Sequence, residues 1–269
     1  STGFSTNFPL TWITAIDTDK NGNLFATGWT ETTNLPIQAS ATFGAYIQNT
    51  NATSSASVQK SDVFVLKFDN NGTRLWATYY GGTGYEMAHD IGVDSNNNIY
   101  ITGETASTDL PTQNSGSFFQ NSNAGGRDAF LLKFDNNGVR LWATYYGGNA
   151  GDIGTTISLD NNEVYVAGNT SSTNFPTQNS GGFFQGSNAG GWDSFILKFG
   201  GNGTRQWATY YGGVATDRSS SIRVDLNDEI YLAGFTQSTN FPVQNSGGYF
   251  QGANAGSWDA YILKFSNTG

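Results

Sequence analysis

Three acidic residues stand at equivalent places in the sequence, each four residues after a Gly-Gly pair: Glu86, Asp152 and Asp217. Carboxylate oxygens are the ligands that calcium prefers, so a ring of these side chains would suit a hard cation. Thr11 occupies the place of a fourth member and breaks the set. We expect no cofactor other than calcium at this ring, and solvated loop acids are the alternative interpretation.

Amide and aromatic side chains recur in a long segment, TNFPTQNSGGFFQGSNAGGWD at 173–193 and TNFPVQNSGGYFQGANAGSWD at 239–259. Loops on a rigid scaffold are common recognition sites, and aromatic rings offer large apolar faces for a sugar or a protein. The alternative is that Phe183, Phe184 and Trp192 only pack the segment against its own sheet. The predicted ligand-binding residues are Gln113, Asn114, Arg127, Gln178, Asn179, Trp192, Gln244, Asn245 and Trp258.

A lysine interrupts each copy of an apolar segment of the type DAFLLKF, at Lys67, Lys133, Lys198 and Lys264. A buried ammonium group needs a partner. We therefore expect ion pairs between neighbouring repeats, with the aspartates that open these segments as partners: Asp62, Asp128, Asp193 and Asp259.

Catalysis is disfavoured by the residue types. His89 is the only histidine, and no nucleophile–base pair is suggested by the spacing. Near-identical repeats also do not build one asymmetric active site. We expect a protein that is not an enzyme.

The elements that must position these residues follow from an internal repeat. FDNNGTRLWATYYGG at 68–82 returns almost unchanged at 134–148 and as FGGNGTRQWATYYGG at 199–213, so the period is 65 or 66 residues. A fixed period of this size is typical of a propeller or a solenoid. The tryptophans of these copies alternate with polar residues, which predicts packing between repeats.

Each repeat contains four short strand patterns, which in the second copy fall at about 90–94, 99–104, 129–134 and 140–146, separated by Asn-rich hairpin signals. The sequence predicts an all-β, four-bladed β-propeller with four antiparallel strands per blade. The predicted blades of this single domain are 11–82, 83–148, 149–213, and 214–269 with 1–10. The N-terminal strand is expected to pair with the C-terminal blade, because FSNTG at 265–269 followed by STGFSTNF at 1–8 reconstitutes the repeat.

The unit at 68–111, which contains LWATYYGG, DIGVD and IYITG, resembles the bacterial beta-propeller repeat abbreviated SBBP. The resemblance covers essentially the whole chain, and three of the four copies match closely. The first copy departs, with Asn7, Phe8, Pro9 and Leu10 in place of Tyr-Tyr-Gly-Gly. The resemblance implies a propeller of exported or surface proteins in bacteria, without catalytic residues. The family's name implies seven blades, whereas four repeats are counted here.

The composition of the 269-residue chain limits the classes of partner that it can bind. The net charge of −9, with 12 Lys and Arg against 21 Asp and Glu, argues against nucleic acid as a ligand. Cysteine is absent, and no apolar run reaches the roughly 18 residues of a membrane span. No signal peptide is recognised, and the polar but weakly charged composition favours an extracellular or cell-surface location.

The leading hypothesis is a non-enzymatic binding or adhesion module, lectin-like or protein-binding, with a glycan or a surface protein as its ligand. The alternative is a structural subunit of a filament or surface array, self-associating when residues 1–8 complete the last blade of a neighbouring molecule. A third interpretation is that the four units belong to a longer array.

Overall fold

The computed structural model describes residues 10–52, 61–115 and 118–269. In these ranges, fifteen strands lie in four antiparallel sheets, and within each sheet the strands follow one another in chain order. Sheets 1, 2 and 3 have four strands each, and sheet 4 has three among the described residues. The all-β class and the four-stranded unit are thus confirmed.

The strand bounds repeat from sheet to sheet. Sheet 1 comprises β1 (Thr11–Thr18), β2 (Leu24–Thr30), β3 (Asp62–Phe68) and β4 (Arg74–Tyr80). Sheet 2 comprises β5 (Glu86–Val93), β6 (Ile99–Thr105), β7 (Asp128–Phe134) and β8 (Arg140–Tyr146). Sheet 3 comprises β9 (Asp152–Asp160), β10 (Glu163–Thr170), β11 (Asp193–Gly200) and β12 (Arg205–Tyr211). Sheet 4 comprises β13 (Asp217–Val224), β14 (Ile230–Thr236) and β15 (Asp259–Phe265).

Local turn chemistry separates the strands. In the turn between β5 and β6, the Asp94 carboxylate accepts hydrogen bonds from the backbone N–H groups of Asn96 and Asn98, at 2.9 and 2.8 Å. Asn97 between them has a φ of 63°, a left-handed conformation that asparagine tolerates. The turn between β7 and β8 uses Gly138 at a φ of 81°. The hairpins are therefore encoded within each repeat.

A buried apolar core lies between each pair of consecutive sheets. Between sheets 2 and 3 it is formed by Tyr100 and Leu131 on one side and by Ile157 and Val166 on the other. The predicted role of the repeated tryptophans is confirmed, since each is only 4% exposed and belongs to such a core. They are Trp76, Trp142 and Trp207.

Lys67 and Lys133 do join neighbouring sheets, but the predicted aspartate partners were wrong. Lys67 Nζ donates to the Asn136 carbonyl oxygen at 2.9 Å, and Lys133 Nζ donates to the Gly201 carbonyl oxygen at 2.7 Å. Both acceptors lie in the β-hairpin turn of the following sheet, where backbone carbonyls have no partner in the strand ladder. Each aspartate is the first residue of its strand, whereas the lysine lies near the other end, as Asp62 and Lys67 do in β3. The aspartates are therefore out of reach of the lysines.

The two end sheets each keep one face exposed. In sheet 1, Ile16 is 62% exposed, and in sheet 4, Ile262 is 80% exposed. The predicted pairing of the N-terminal strand with sheet 4 falls on residues 1–9, which lie outside the described residues, so ring closure stays a prediction.

Candidate functional site

The Tyr-Tyr-Gly-Gly run organises the end of each sheet where the long loops emerge. The Tyr145 hydroxyl accepts a hydrogen bond from Leu110 N at 2.7 Å and donates to the Ser107 carbonyl at 2.9 Å, both in the loop between β6 and β7. The Tyr146 hydroxyl donates to the carbonyl of Pro176, in the corresponding loop of sheet 3. Tyr145 thus binds the long loop of its own sheet, whereas Tyr146 binds the long loop of the following sheet.

Two of the glutamines predicted to bind ligand, Gln113 and Gln178, hold the loops against their own sheets. The Gln113 amide donates to the Leu141 carbonyl at 2.9 Å, and its oxygen accepts from Arg140 Nε at 3.1 Å. Gln178 repeats this arrangement, donating to the Gln206 carbonyl at 2.7 Å. Because these amide groups already bond to the outermost strand of their own sheet, they do not form the expected set of free donors and acceptors.

The remaining predicted amides are divided between turns and surface. The Asn179 oxygen accepts from Gly181 N at 2.7 Å, and the Asn245 oxygen accepts from Gly247 N at 2.8 Å, so both close tight turns. Gln244 is exposed, and Asn114 lies at the place equivalent to Asn179. The loop aromatics support the packing interpretation, since the Phe183 ring lies 4.7 Å from that of Tyr211.

The three acids considered for calcium, Glu86, Asp152 and Asp217, are fully buried and lie at three different boundaries between sheets. Each lies beside an aspartate of the preceding sheet, as Asp152 lies beside Asp128. A Cβ atom added to Gly147 would lie 2.5 Å from Asp128 Cγ and 2.8 Å from Asp152 Oδ2, so both carboxyl groups contact this glycine. Over the described ranges, no three histidine, aspartate or glutamate side chains converge on a metal position. The other two pairs are Asp62 with Glu86 and Asp193 with Asp217.

Burial makes these carboxyl groups hard to ionise. Burial raises the pKa of Glu86 and of Asp128 to about 7, and a second contribution to Asp128 is the negative charge of Asp152. Burial likewise raises the pKa of Asp152 and of Asp193 to about 6. Each boundary between consecutive sheets therefore contains at least one carboxyl group that retains its proton well above the usual range of a carboxyl group.

A chain of charged and aromatic side chains crosses sheets 2 to 4 at the loop end. Arg127 Nη1 lies 2.8 Å from Glu104 Oε2, and the His89 Nε2 atom lies 3.6 Å from the other oxygen of Glu104. The Arg127 guanidinium lies 5.7 Å from the centre of the Trp192 ring, and that of Arg218 lies 5.0 Å from it. Trp192 is therefore contacted by arginines from the two adjacent sheets.

This chain continues along sheet 4. Arg218 is directly opposite Phe235 in the pairing of β13 with β14, and the Phe235 ring packs edge-on against Trp258 at 5.1 Å. Trp258 is 46% exposed and Phe235 is 37% exposed, so the end of the chain is open to solvent. We call the whole set the arginine–aromatic band: His89, Glu104, Arg127, Trp192, Arg218, Phe235 and Trp258.

Sequence reasoning found three members of the band and missed four. Arg127, Trp192 and Trp258 were predicted as ligand contacts, whereas Arg218 and Phe235 were not. A usable signal exists, because Arg218 and Phe235 occupy places where the repeats differ. The place of Phe235 holds Trp29, Glu104 and Asn169 in the other copies, and the place of Arg218 holds Trp12, Met87 and Ile153.

No helix in the described part of the chain is long and apolar enough to cross a membrane.

Known proteins resemble this chain over its repeats. The chain is 25% identical over 232 residues to the Uncharacterized WD repeat-containing protein L264 of Acanthamoeba polyphaga mimivirus, which covers 77% of this chain and 17% of that protein. It is 26% identical over 170 residues to the Regulatory protein FlaEY of Caulobacter vibrioides, covering 62% of this chain and 17% of that protein. The matches thus span about a sixth of the length of these curated relatives.

Among solved structures, the Phage phi92 endosialidase aligns with a TM-score of 0.46 at 12% identity, over 96% of this chain and 36% of that chain. A family model described as Beta-propeller repeat, abbreviated SBBP, matches residues 75–111. This match contains the tryptophan and tyrosines that pack sheet 2 against its neighbours, together with β5 and β6. Residues 75–111 thus match one beta-propeller repeat of this family model.

Proposed function

We propose that this chain is a non-enzymatic binding module whose ligand surface is the arginine–aromatic band, and that the ligand is a glycan carrying carboxylate groups. The observation that carries this assignment is the state of Arg218. Its guanidinium stacks on Trp192 at 5.0 Å, and it has neither an ion pair nor a hydrogen-bond partner within the described ranges. A held but unpaired guanidinium is suited to a carboxylate, which it can bind through two parallel hydrogen bonds.

The neighbours of Arg218 favour a ring-shaped anion over a simple one. Phe235 and Trp258 present exposed aromatic surface beside it, and such surface packs against the apolar face of a sugar ring. The Arg127 charge is already balanced by Glu104 at 2.8 Å, which leaves Arg218 as the charged contact of the band. The net charge of −9 would repel an acidic polymer elsewhere on the surface, and this confines binding to the band.

The test is a calorimetric titration of the chain with oligogalacturonate, with a neutral galactose oligomer of equal length as the matched ligand. We expect the acidic saccharide to bind and the neutral one not to bind. Arg218→Ala should weaken binding at least about tenfold, because one charge-assisted hydrogen bond contributes about 1.5–3 kcal/mol.

Arg223→Ala is the control, since Arg223 lies on the same strand and its guanidinium donates to the Ile222 carbonyl at 2.7 Å. This variant should bind like the wild type. Equal binding by Arg218→Ala and the wild type, or binding of a polyglutamate peptide in place of the saccharide, would contradict the assignment.

We also propose an extracellular or cell-surface location. It is supported by the composition, in which 12% of residues are charged and none is cysteine. A non-enzymatic role is supported by the surroundings of His89, which lies 3.6 Å from the Glu104 carboxylate, itself paired with Arg127.

A structural role in an assembly is the second candidate function. It is favoured by the exposed apolar faces of sheets 1 and 4, which are suited to contact other sheets.

A further inference from the structure

A cavity of about 340 Å³ lies between sheets 2 and 3, at the hairpin-turn end of the strands. Its walls are Lys133, Leu141 and Trp142 from sheet 2 and Asn162, Gly201 and Asn202 from sheet 3. The volume falls within the range of about 300–1,000 Å³ that small-molecule sites occupy. The cavity is remote from the arginine–aromatic band, because Lys133 comes six residues after Arg127 and an extended strand covers about 20 Å in that length.

Two local departures from the repeat lie at this cavity. The turn between β11 and β12 has Gly200 and Gly201, where the turn between β7 and β8 has Asp135 and Asn136. The turn between β9 and β10 is one residue shorter than the turn between β5 and β6, and its Asn162 carbonyl accepts a hydrogen bond from Gly201 N at 2.6 Å. Because Gly201 has no side chain, the space that an asparagine fills at the boundary of sheets 1 and 2 stays open here.

Lys133 also lacks a side-chain acceptor that equivalent lysines have. Lys67 donates to the Asn136 side-chain oxygen as well as to the backbone carbonyl of that residue. Lys198 donates to the Asn267 side-chain oxygen. Within the described ranges, Lys133 Nζ has one hydrogen-bond acceptor, a backbone carbonyl at 2.7 Å, although an ammonium group has three donors.

A second kind of acceptor, a glutamate of the same sheet, is present in sheets 3 and 4 but not in sheet 2. The distances are 3.5 Å from Lys198 Nζ to Glu163 and 3.2 Å from Lys264 Nζ to Glu229. Sheet 2 has Asn98 at that place, and its side-chain amide donates to Asp94 at 2.8 Å. The Asp94 carboxylate is therefore held by its own turn, and it acts on Lys133 only at longer range.

We propose that this cavity binds a small organic acid, with its carboxylate on Lys133 and its apolar part against Trp142 and Leu141. Lys133 is only 6% exposed, so a carboxylate bound to it is shielded from water and the charged hydrogen bonds are strengthened. The two carboxylate oxygens supply the acceptors that side chains provide to the other lysines. The exposed Asn162 and Asn202 add a polar rim to the cavity.

Benzoate is the probe, because it joins a carboxylate to one apolar ring, and benzamide is the neutral control of nearly the same shape. Binding is followed through the indole N–H signals of the seven tryptophans in a two-dimensional NMR spectrum. The Trp142 indole N–H donates to the Gly201 carbonyl at 3.2 Å, so its signal reports on this cavity. We expect benzoate to shift the Trp142 signal in a saturable way, and benzamide to bind at least about tenfold more weakly.

Two matched pairs of variants test the assigned contacts. Lys133→Met should weaken benzoate binding at least about tenfold, whereas Lys67→Met, the same change at the preceding boundary, should leave it unchanged. Leu141→Glu should also weaken binding, because it places a negative charge on the cavity wall. Leu75→Glu is its control, since Leu75 and Leu141 occupy equivalent places and are 39% and 37% exposed. This exposed pair keeps the test decisive if the buried lysine variants fold poorly, which a circular dichroism melt detects.

An unmoved Trp142 signal, equal binding of benzamide, or wild-type affinity in a folded Lys133→Met or Leu141→Glu variant would overturn the inference. Arg218→Ala should leave the Trp142 shift unchanged, because Arg218 belongs to the band at the other end of the sheets. Loss of saccharide binding at the band and loss of benzoate binding at the cavity are therefore separate results.

Discussion

Lys133 joins two sheets through a single side chain. Its ammonium donates to the Gly201 carbonyl at 2.7 Å and lies 4.8 Å from the centre of the Tyr100 ring. Because the ammonium is partly removed from water, burial lowers the pKa of Lys133. The equivalent Lys264 in sheet 4 has a side chain that is 54% exposed and pairs with Glu229 at 3.2 Å. The repeated lysine is thus buried between sheets 2 and 3 at Lys133 and exposed to solvent in sheet 4 at Lys264.

Replacing each lysine by methionine separates these roles. Lys133→Met should lower the free energy of unfolding by about 1–2 kcal/mol, because a charged hydrogen bond across the boundary is lost. Lys264→Met should leave it nearly unchanged in dilute, monomeric protein, as is usual for an exposed ion pair. Urea denaturation measures both values, and equal effects of the two substitutions would contradict the assigned contacts.

At the scale of elements, the start of β9 and the start of β7 meet through their first residues, Asp152 and Asp128. The Asp152 carboxylate accepts hydrogen bonds from Gly148 N and Ser172 Oγ, both at 2.7 Å. The Asp128 carboxylate accepts one from Gln120 Nε2 at 2.5 Å. These bonds stabilise the ionised forms, but burial outweighs them, so the pKa of each group remains raised.

The raised pKa values predict a pH dependence of stability. A carboxyl group with a higher pKa in the folded state binds protons more tightly there, so its contribution to stability is lost as the pH rises. The window runs from the ordinary values near 4 to about 7 for Glu86 and Asp128 and about 6 for Asp152 and Asp193. The chain should melt at a higher temperature at about pH 5.5 than at about pH 8.

Asp128→Asn should flatten this dependence, because the variant no longer brings two titrating groups together at the boundary of sheets 2 and 3. Asp259→Asn is the matched control. Asp259 accepts from Gln251 Nε2 at 2.7 Å as the other aspartates do from their glutamines, but no further sheet follows it in the described ranges. Thermal melts at both pH values decide the matter, and a steeper dependence in Asp128→Asn than in the wild type would exclude the paired-acid explanation.

At the scale of the whole molecule, stability is distributed along an array of sheets, each of which packs mainly on its neighbours. Such arrays behave approximately as a sum of unit and nearest-neighbour terms. A residue's importance then depends on whether its sheet has a neighbour on that side. Ile157 and Ile16 have the same type and the same place in their sheets, yet they are 4% and 62% exposed.

This difference predicts the outcome of one substitution made at two places. Ile157→Ala should lower the free energy of unfolding by about 2–5 kcal/mol, the usual cost of truncating a buried isoleucine. Ile16→Ala should cost less than about 1 kcal/mol when measured on dilute, monomeric protein. Chemical denaturation compares them, and a cost for Ile16→Ala equal to that of Ile157→Ala would show that sheet 1 is covered within a single chain.

The sequence alone determined the repeated unit and nearly all of its strands. The interval 140–146 was predicted with the bounds that β8 has, because its hairpin turn and its alternation are local features. The start of β5 was placed four residues late, at 90 rather than at Glu86. A register shift between Ala88 and Asp90 interrupts the alternation there, and a bulge of this kind is set by the partner strand.

Only the tertiary structure decided which repeated residues meet. Gln113 and Gln178 bond to the outer strands of their own sheets, which depends on how each long loop folds back. The three acids lie in separate boundary pairs, which depends on how consecutive sheets pack. The position of Arg218 over Trp192 and the exposure of Ile16 likewise depend on how consecutive sheets pack. Local sequence encodes the blade, whereas the arginine–aromatic band and the exposed faces of sheets 1 and 4 arise from the packing of one sheet on the next.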